Sequence, residues 1–175
     1  LIDAIADGIS DTIKQADESN RLMVAVLLLL WVSAIASAFI DNIPYTATMV
    51  PVVIELASNP ELGLALGPLA WALALGACLG GNGTIIGASA NVLAAGLAEE
   101  AGYDISFNRF FKTGFPIMIL TVTLATAYCV VRYAIEWSND VIPMAIIAAM
   151  MLASLALTPM IYGPAPSSPP DFELE

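Results

Sequence analysis

Long apolar runs, two of them without a charged residue and one with Arg132 alone, divide the chain. Residues 22–40, LMVAVLLLLWVSAIASAFI, form the first of them, and residues 114–135 and 141–162 form two more of similar length. An α-helix over the first run reaches about 28 Å, close to the thickness of the hydrocarbon core of a bilayer. The pattern therefore predicts an all-α integral membrane protein with at least three full-length apolar helices.

Two polar interruptions adjoin apolar pieces that are too short to cross a bilayer comfortably. The first is Asp41-Asn42-Ile43-Pro44, which separates the run at 22–40 from an apolar piece ending near residue 57. The second is the glycine cluster at 80–84, GGNGT, which separates residues 64–80 from residues 85–98. The pattern thus predicts two broken helical segments.

The two ends of the chain have a different character. Residues 1–21 carry isoleucines at spacings of three and four, with acidic residues between them, and this predicts an amphipathic surface helix. Such a helix lies on the membrane surface or against a neighbouring domain, and a solvated cap helix is the alternative. Residues 163–175, GPAPSSPPDFELE, predict a disordered acidic tail.

Composition narrows the function classes. The chain is 59% hydrophobic and 12% charged, with a net charge of -11, so the lipid bilayer is the expected partner and nucleic acid is excluded. The sequence has no histidine and no visible nucleophile–base pair, which argues against an enzyme. Cys78 and Cys129 are isolated in apolar stretches, which predicts two buried thiols without a metal or a disulfide.

A break inside a membrane helix requires a reason, because each unpaired backbone group in hydrocarbon costs several kcal/mol. Such backbone persists only where protein buries it or where it lines a cavity. Gly81 and Gly83 let the chain unwind, and we expect some of the glycines there to adopt positive φ. Asn82 and Thr84 supply polar groups, and the adjoining helix ends can hold ions of either sign. Paired breaks of this kind are typical of a transporter's binding site.

Plainer interpretations remain open for the same residues. Gly76 and Gly80, or Gly83 and Gly87, can be simple helix-packing faces. Asp41 is a functional candidate because an ionisable group at membrane depth is costly, but it can also be a hydrated N-cap in an interfacial loop. Thr46 and Thr48 can bond back to their own helix.

Two stretches, AFIDNIPYTATMVPVV and GACLGGNGTIIGASANV, resemble the ion transporter superfamily. This superfamily holds arsenite permeases, sodium/dicarboxylate symporters and D-type sodium/proton antiporters, and the similarity is to its melanocyte P protein-like transporters in particular. The resemblance runs from about residue 1 to residue 137. It implies one repeat of an inverted-repeat transporter, with a re-entrant hairpin over 22–57 (tip 41–44) and a discontinuous transmembrane helix over 64–98 (break 80–84). About two further transmembrane helices follow, at 114–135 and 141–162.

The resemblance also assigns a site by position. The residues expected to line it, together with Asp41 and the glycines Gly81 and Gly83, are Asn42, Thr46, Thr48, Asn82, Thr84, Ser89 and Asn91. A Na⁺ site is expected at Asn42, Asn82 and Thr84. The dicarboxylate branch carries Ser-Asn-Thr at such a tip, whereas this chain has Asp-Asn-Ile-Pro, which speaks against a dicarboxylate substrate.

The patterns indicate a multi-pass, secondary active transporter of the cell membrane, and the resemblance implies that this chain is its C-terminal part. It would move a small ion or anion coupled to Na⁺ or H⁺, without any other cofactor, and sodium/proton antiport is one form of this. The missing first repeat belongs to the same gene or to a separate chain, and a homodimer is expected. A non-transporting structural half-subunit that needs a partner chain and a passive channel are the alternatives from other classes.

Overall fold

The computed structural model describes residues 2–134, and these belong to one compact helical unit. The helices in chain order are α1 (Ile2–Lys14), α2 (Arg21–Phe39), α3 (Asn42–Ser58), α4 (Leu66–Gly80), α5 (Ser89–Glu100) and α6 (Phe107–Ala134). Short 3₁₀ turns occupy Glu18–Asn20 and Ile85–Gly87. Residues 2–134 contain no β-strand, so the all-α class is confirmed for them. The helix predicted at 141–162 and the tail predicted at 163–175 lie outside the described residues.

Two segments are long and apolar enough to cross a membrane by length and composition, Glu18–Phe39 and Phe107–Tyr133. Between them lie three shorter helices, of which α4 is the most apolar. This arrangement is that of an all-α membrane protein. The division into a re-entrant hairpin and an inverted repeat stays a prediction.

The centre of the unit is the contact between α2 and α4, where small residues bring the backbones together. A Cβ atom added at Gly76 would lie 2.5 Å from the Leu30 carbonyl oxygen, and one at Gly80 would collide with the backbone of Ala34. Close approach through small residues is how membrane helices gain packing without a hydrophobic driving force between them. Gly76 and Gly80 therefore form a packing face, as one of the open interpretations proposed.

The side of α4 that contacts α2 explains why Cys78 is exposed. Cys129 on α6 is buried, as predicted, but Cys78 is exposed, so the prediction of a second buried thiol is wrong. Gly76, Ala77 and Gly80 are all buried, and Cys78 lies between them on a different side of the helix. An apolar stretch indicates a helix, but it does not show which side of that helix the chain itself covers.

The amphipathic α1 uses its apolar face inside this unit. Ile9 and Ile13 are buried, and α1 packs against α3 and α2. Lys14 forms a 2.7 Å ion pair with Glu61 in the loop between α3 and α4. Whether the opposite face of α1 lies on a membrane surface stays a prediction.

The last described helix begins earlier than the apolar run predicts and passes through a proline. It starts at Phe107 instead of residue 114, and Pro116 lies inside it. Stacked rings precede the proline, with centroids 6.0 Å apart for Phe107 and Phe111 and 4.8 Å apart for Phe111 and Phe115. Proline removes one backbone hydrogen bond from a helix, and here the turn before it is supported by ring packing and tertiary contact.

Candidate functional site

The two chain breaks predicted from the sequence contact each other. Only Ile40 and Asp41 separate α2 from α3, and residues 81–88 separate α4 from α5. The Ser89 hydroxyl donates a short hydrogen bond to Asp41 Oδ2, and Thr84 Oγ1 donates one of 2.5 Å to the Ala38 carbonyl. These contacts join segments more than 45 residues apart in sequence. The structure therefore brings Asp41, Thr84 and Ser89 together.

Thr84 is the buried centre of this contact. Its side chain is fully buried, and its hydroxyl accepts from the Gly87 N–H at 3.2 Å while donating to Ala38. The carbonyls in the last turn of a helix have no partner within the helix, and Ala38 lies in the last turn of α2. Thr84 thus satisfies the end of α2 and the 3₁₀ turn of the second break with one hydroxyl. The role of Thr84 as an ion ligand stays a prediction.

Asn91 closes the second break from the other side. Its Nδ2 group donates to the Gly81 carbonyl at 2.7 Å and to the Thr84 carbonyl at 3.1 Å. Both amide hydrogens are therefore used across the break, and Oδ1 is the atom left for a ligand. Asn91 lies in the first turn of α5, so the start of this helix holds the loop that precedes it.

Asp41 has two contacts, one local and one across the breaks. Its Oδ1 accepts from the Ile43 N–H at 3.0 Å, which makes Asp41 the N-cap of α3. Its other oxygen binds Ser89, the first residue of α5. The carboxylate therefore lies where the positive ends of two helices meet, a position that favours a negative charge. The structure supports the N-cap interpretation of Asp41, and its functional interpretation stays a prediction.

The two asparagines named with Thr84 as Na⁺ ligands lie at the edge of this region. Asn42 is the first residue of α3 and is half exposed, whereas Asn82 is exposed. The backbone of Asn82 is held, because its N–H donates to the Leu79 carbonyl at 3.2 Å. Among the described residues, no group of three or more Asp, Glu, Cys or His side chains forms a metal site. The Na⁺ site at Asn42, Asn82 and Thr84 stays a prediction.

Thr46 and Thr48 are not brought to this cluster. Thr48 is exposed, and its hydroxyl donates to the Pro44 carbonyl of its own helix at 2.9 Å. Thr46 lines an apolar groove between α3 and α4, about 290 Å³ in volume, with Val50 and Leu66 among its other walls. The structure therefore supports back-bonding for Thr48, and it places Thr46 on a different surface from Asp41.

The glycines of the second break are needed for a different reason from the expected one. Among residues 2–134, positive φ occurs at Gly63 and Gly102, both outside the break, so the expectation of positive φ at 81–87 is wrong. Close packing leaves no room for a side chain instead. A Cβ atom at Gly83 would lie 2.8 Å from Met118 Sδ and 2.9 Å from Ala38 Cβ, and one at Gly87 would lie 3.0 Å from the Ala38 carbonyl oxygen.

Several residues that build the site were missed by the sequence patterns. Ser37 is buried in α2, and its hydroxyl donates to the Ala77 carbonyl at 2.7 Å, next to the Gly81 N–H that uses the same acceptor. Met118 and Gly114 on α6 contact the second break. A serine inside an apolar run was the available signal for Ser37, because a buried hydroxyl needs a partner.

Sequence comparison matches the chain to a transporter family and to several membrane proteins. Residues 1–76 match the model of a family described as citrate transporter. The human P protein is 51% identical over 139 residues, which is 79% of this chain and 17% of that protein. A "46 kDa membrane protein" from Mycobacterium leprae is 44% identical over 113 residues, 65% of this chain and 26% of that protein. A protein named as an uncharacterized transporter from Mycobacterium tuberculosis is 45% identical over 114 residues, 65% of this chain and 27% of that protein.

The resemblance to the ion transporter superfamily is confirmed over this part of the chain. The family match at residues 1–76 includes the first break, and the alignment with the human P protein extends over 79% of this chain. The chain spans only about a sixth to a quarter of the length of these relatives. No solved structure matches it.

Proposed function

We propose that the chain forms part of a secondary active membrane transporter and carries one side of its ion-binding site. The observation that carries the proposal is the contact between the two breaks, made by Asp41 with Ser89 and by Thr84 with Ala38. Non-helical backbone at membrane depth needs a protein or aqueous environment, and paired broken helices supply ion ligands in transporters. The names of the family and of the relatives indicate transport rather than enzymatic chemistry.

The charges of the cluster favour a cation as at least one transported species. Asp41 supplies a carboxylate, and none of the residues joined across the two breaks is a lysine or arginine. An anion such as citrate would therefore depend on helix N-termini and on the rest of the transporter. We propose Na⁺ or H⁺ as the coupling ion, with no other cofactor, and sodium/proton antiport as one form of the reaction.

The remaining parts of the proposal concern the assembly. The relatives are four to six times longer than the matched segment, so a complete site would require a second repeat in the same protein or in a separate chain. We propose that this complete protein is multi-pass, lies in the cell membrane and forms a homodimer. The same difference in length favours the second candidate, a structural half-subunit that does not transport without a partner.

The test compares wild-type and Asp41→Asn forms of the full-length protein in liposomes. Uptake of Na⁺, citrate and arsenite and the movement of H⁺ are measured side by side, with Glu55→Gln on the exposed side of α3 as the control. We expect Asp41→Asn to abolish or shift the Na⁺ or pH dependence and Glu55→Gln to leave it unchanged. Gradient-driven flux by the 175-residue chain alone, equal to that of the full-length protein, would contradict the half-site; crosslinking would show whether a dimer supplies both halves.

A further inference from the structure

The middle of α6 is fitted against the second break over two consecutive turns. A Cβ atom added at Gly114 would collide with the carbonyl oxygen of Asn82 and would lie 2.9 Å from Cε1 of Phe110. One turn later, the fully buried Met118 side chain occupies the space that a Cβ atom at Gly83 would need. Neither turn leaves room for one additional methyl group between α6 and the break.

Backbone N–H groups of the second break are also hydrogen-bonded to the C-terminal end of α4. The Asn82 N–H donates to the Leu79 carbonyl at 3.2 Å, and the Gly83 N–H donates to the Gly80 carbonyl at 2.9 Å. Asn82 is thus clamped between the end of α4 and the surface of α6, while its side chain is exposed. Because these contacts are made with the backbone of Asn82, they fix the position of its Cα atom and so the start of its amide side chain.

We propose that Gly114 is a positioning residue for the ion site, acting through the backbone of Asn82. This inference rests on the proposed function and gives α6 a role beyond crossing the membrane. A flexible side chain can rotate away from an added methyl, but a backbone carbonyl can avoid it only if the chain moves. Binding constellations tolerate displacements of only about 0.5 Å, so a methyl at residue 114 changes how the ion is held.

The experiment compares Gly114→Ala with Gly96→Ala in the full-length protein. Both place a methyl on a helical glycine, but a Cβ atom at Gly96 meets nothing within 4 Å. Transport is measured against Na⁺, with choline as the replacement, and against pH, and each rate is normalised to the amount of protein in the membrane. A displaced ligand costs roughly 10–100-fold, so we expect the half-saturating concentration of the coupling ion to rise by that factor in Gly114→Ala. We expect Gly96→Ala to keep the wild-type value.

The ion affinity separates a positioning role from a purely structural one. A lower amount of protein or a lower maximal rate, with an unchanged half-saturating concentration, would overturn the inference. If Gly114→Ala does not reach the membrane, Met118→Ala provides the second test, because it loosens the neighbouring contact of α6 with Gly83 without adding bulk. We expect it to weaken ion affinity, whereas Val122→Ala, one turn farther along α6, should not; equal affinities in the two variants would overturn the inference.

Asn82→Ala distinguishes this inference from the proposed function. If Asn82→Ala and Asp41→Asn change the ion dependence and Gly114→Ala does not, the positioning role is wrong and the ion site stands. If Asn82→Ala and Asp41→Asn both leave the ion dependence unchanged, the proposed site itself fails.

Discussion

Ser89 donates its hydroxyl hydrogen to the Asp41 carboxylate, although the two residues are 48 positions apart in the sequence. Asp41 caps α3 with its other oxygen, and Ser89 begins α5. One hydrogen bond therefore joins the N-terminal ends of two helices that the chain reaches through two separate breaks. A substitution of either residue should therefore change the structure at both breaks.

Thr84→Val should destabilise the protein by removing the buried link between the breaks. Valine has a similar shape but leaves the buried Ala38 carbonyl without the hydroxyl that binds it, while the Gly87 N–H keeps its 3.3 Å hydrogen bond to the carbonyl of residue 84. A buried group without its hydrogen bond costs roughly 1–3 kcal/mol, and we expect the free energy of unfolding in detergent to fall by that amount. Thr123→Val is the matched control, because the Thr123 hydroxyl binds only its own helix at the Ile119 carbonyl and is exposed. Equal stability of the two variants would contradict the role of Thr84.

Asn91→Ala should loosen residues 81–84 in particular. The substitution removes both amide donors that bridge the Gly81 and Thr84 carbonyls. We expect faster amide hydrogen exchange in the peptide that covers the second break, with little change in α1. Asn108→Ala, at an exposed position near the start of α6, provides the control. Unchanged exchange at 81–87 in Asn91→Ala would show that the asparagine does not hold the break.

Gly83→Ala and Gly67→Ala should have opposite effects on stability. A methyl at Gly83 meets Met118 and Ala38 in a packed region, and overpacking of this kind costs about 1–3 kcal/mol. A methyl at Gly67 in α4 meets nothing within 4 Å, and alanine is favoured over glycine in a helix by up to about 1 kcal/mol. Unfolding in detergent measures both. A Gly83→Ala variant as stable as the wild type would contradict the close packing of Gly83 against Met118 and Ala38.

The ion pair between Lys14 and Glu61 should make the attachment of α1 sensitive to acid. Lys14 donates to Glu61 and holds the pKa of that carboxyl below its ordinary value of 4.5, while Glu61 raises the pKa of the Lys14 ammonium above 10.5. The contribution of Glu61 is therefore complete above pH 4.5 and is lost as the pH falls through its lowered pKa; that of Lys14 is lost only at strongly alkaline pH. We expect protease sensitivity of the α1–α2 connection to rise in acid for the wild type. Glu61→Gln should show the raised protease sensitivity already at neutral pH. A wild-type protease sensitivity that does not change with pH would contradict the prediction.

The apolar runs and the two breaks could be predicted from the sequence, because hydrophobic length and clusters of Gly, Asn and Pro report directly on where a membrane helix can and cannot continue. The meeting of the breaks could not be derived from periodicity, since it depends on tertiary contacts such as the one between Thr84 and Ala38. It was expected only from the family resemblance. Thr48 shows the limit of assignment by position: a hydroxyl one turn from Pro44 satisfies itself locally, and no pattern distinguishes it from a ligand.

The glycines show a second limit. The sequence indicates that glycines are needed within residues 80–87, but it does not separate a backbone that needs positive φ from one that needs close contact. The structure decides for close contact, through partners on α2 and α6 that lie far away in the sequence. Gly114 carried the same information as Gly83, but as a single glycine in an apolar run it gave no pattern to interpret.

The most direct test of the account is a double-mutant cycle on the ion dependence of transport. The full-length protein is measured as wild type, Asp41→Asn, Ser89→Ala and the double variant, and the half-saturating concentration of Na⁺ or H⁺ is recorded for each. If the two breaks form one ion site, each single variant weakens ion dependence, and the double variant is no weaker than Asp41→Asn alone, because both changes remove the same interaction. Independent, additive effects, or an unchanged ion dependence in all three variants, would contradict the central claim.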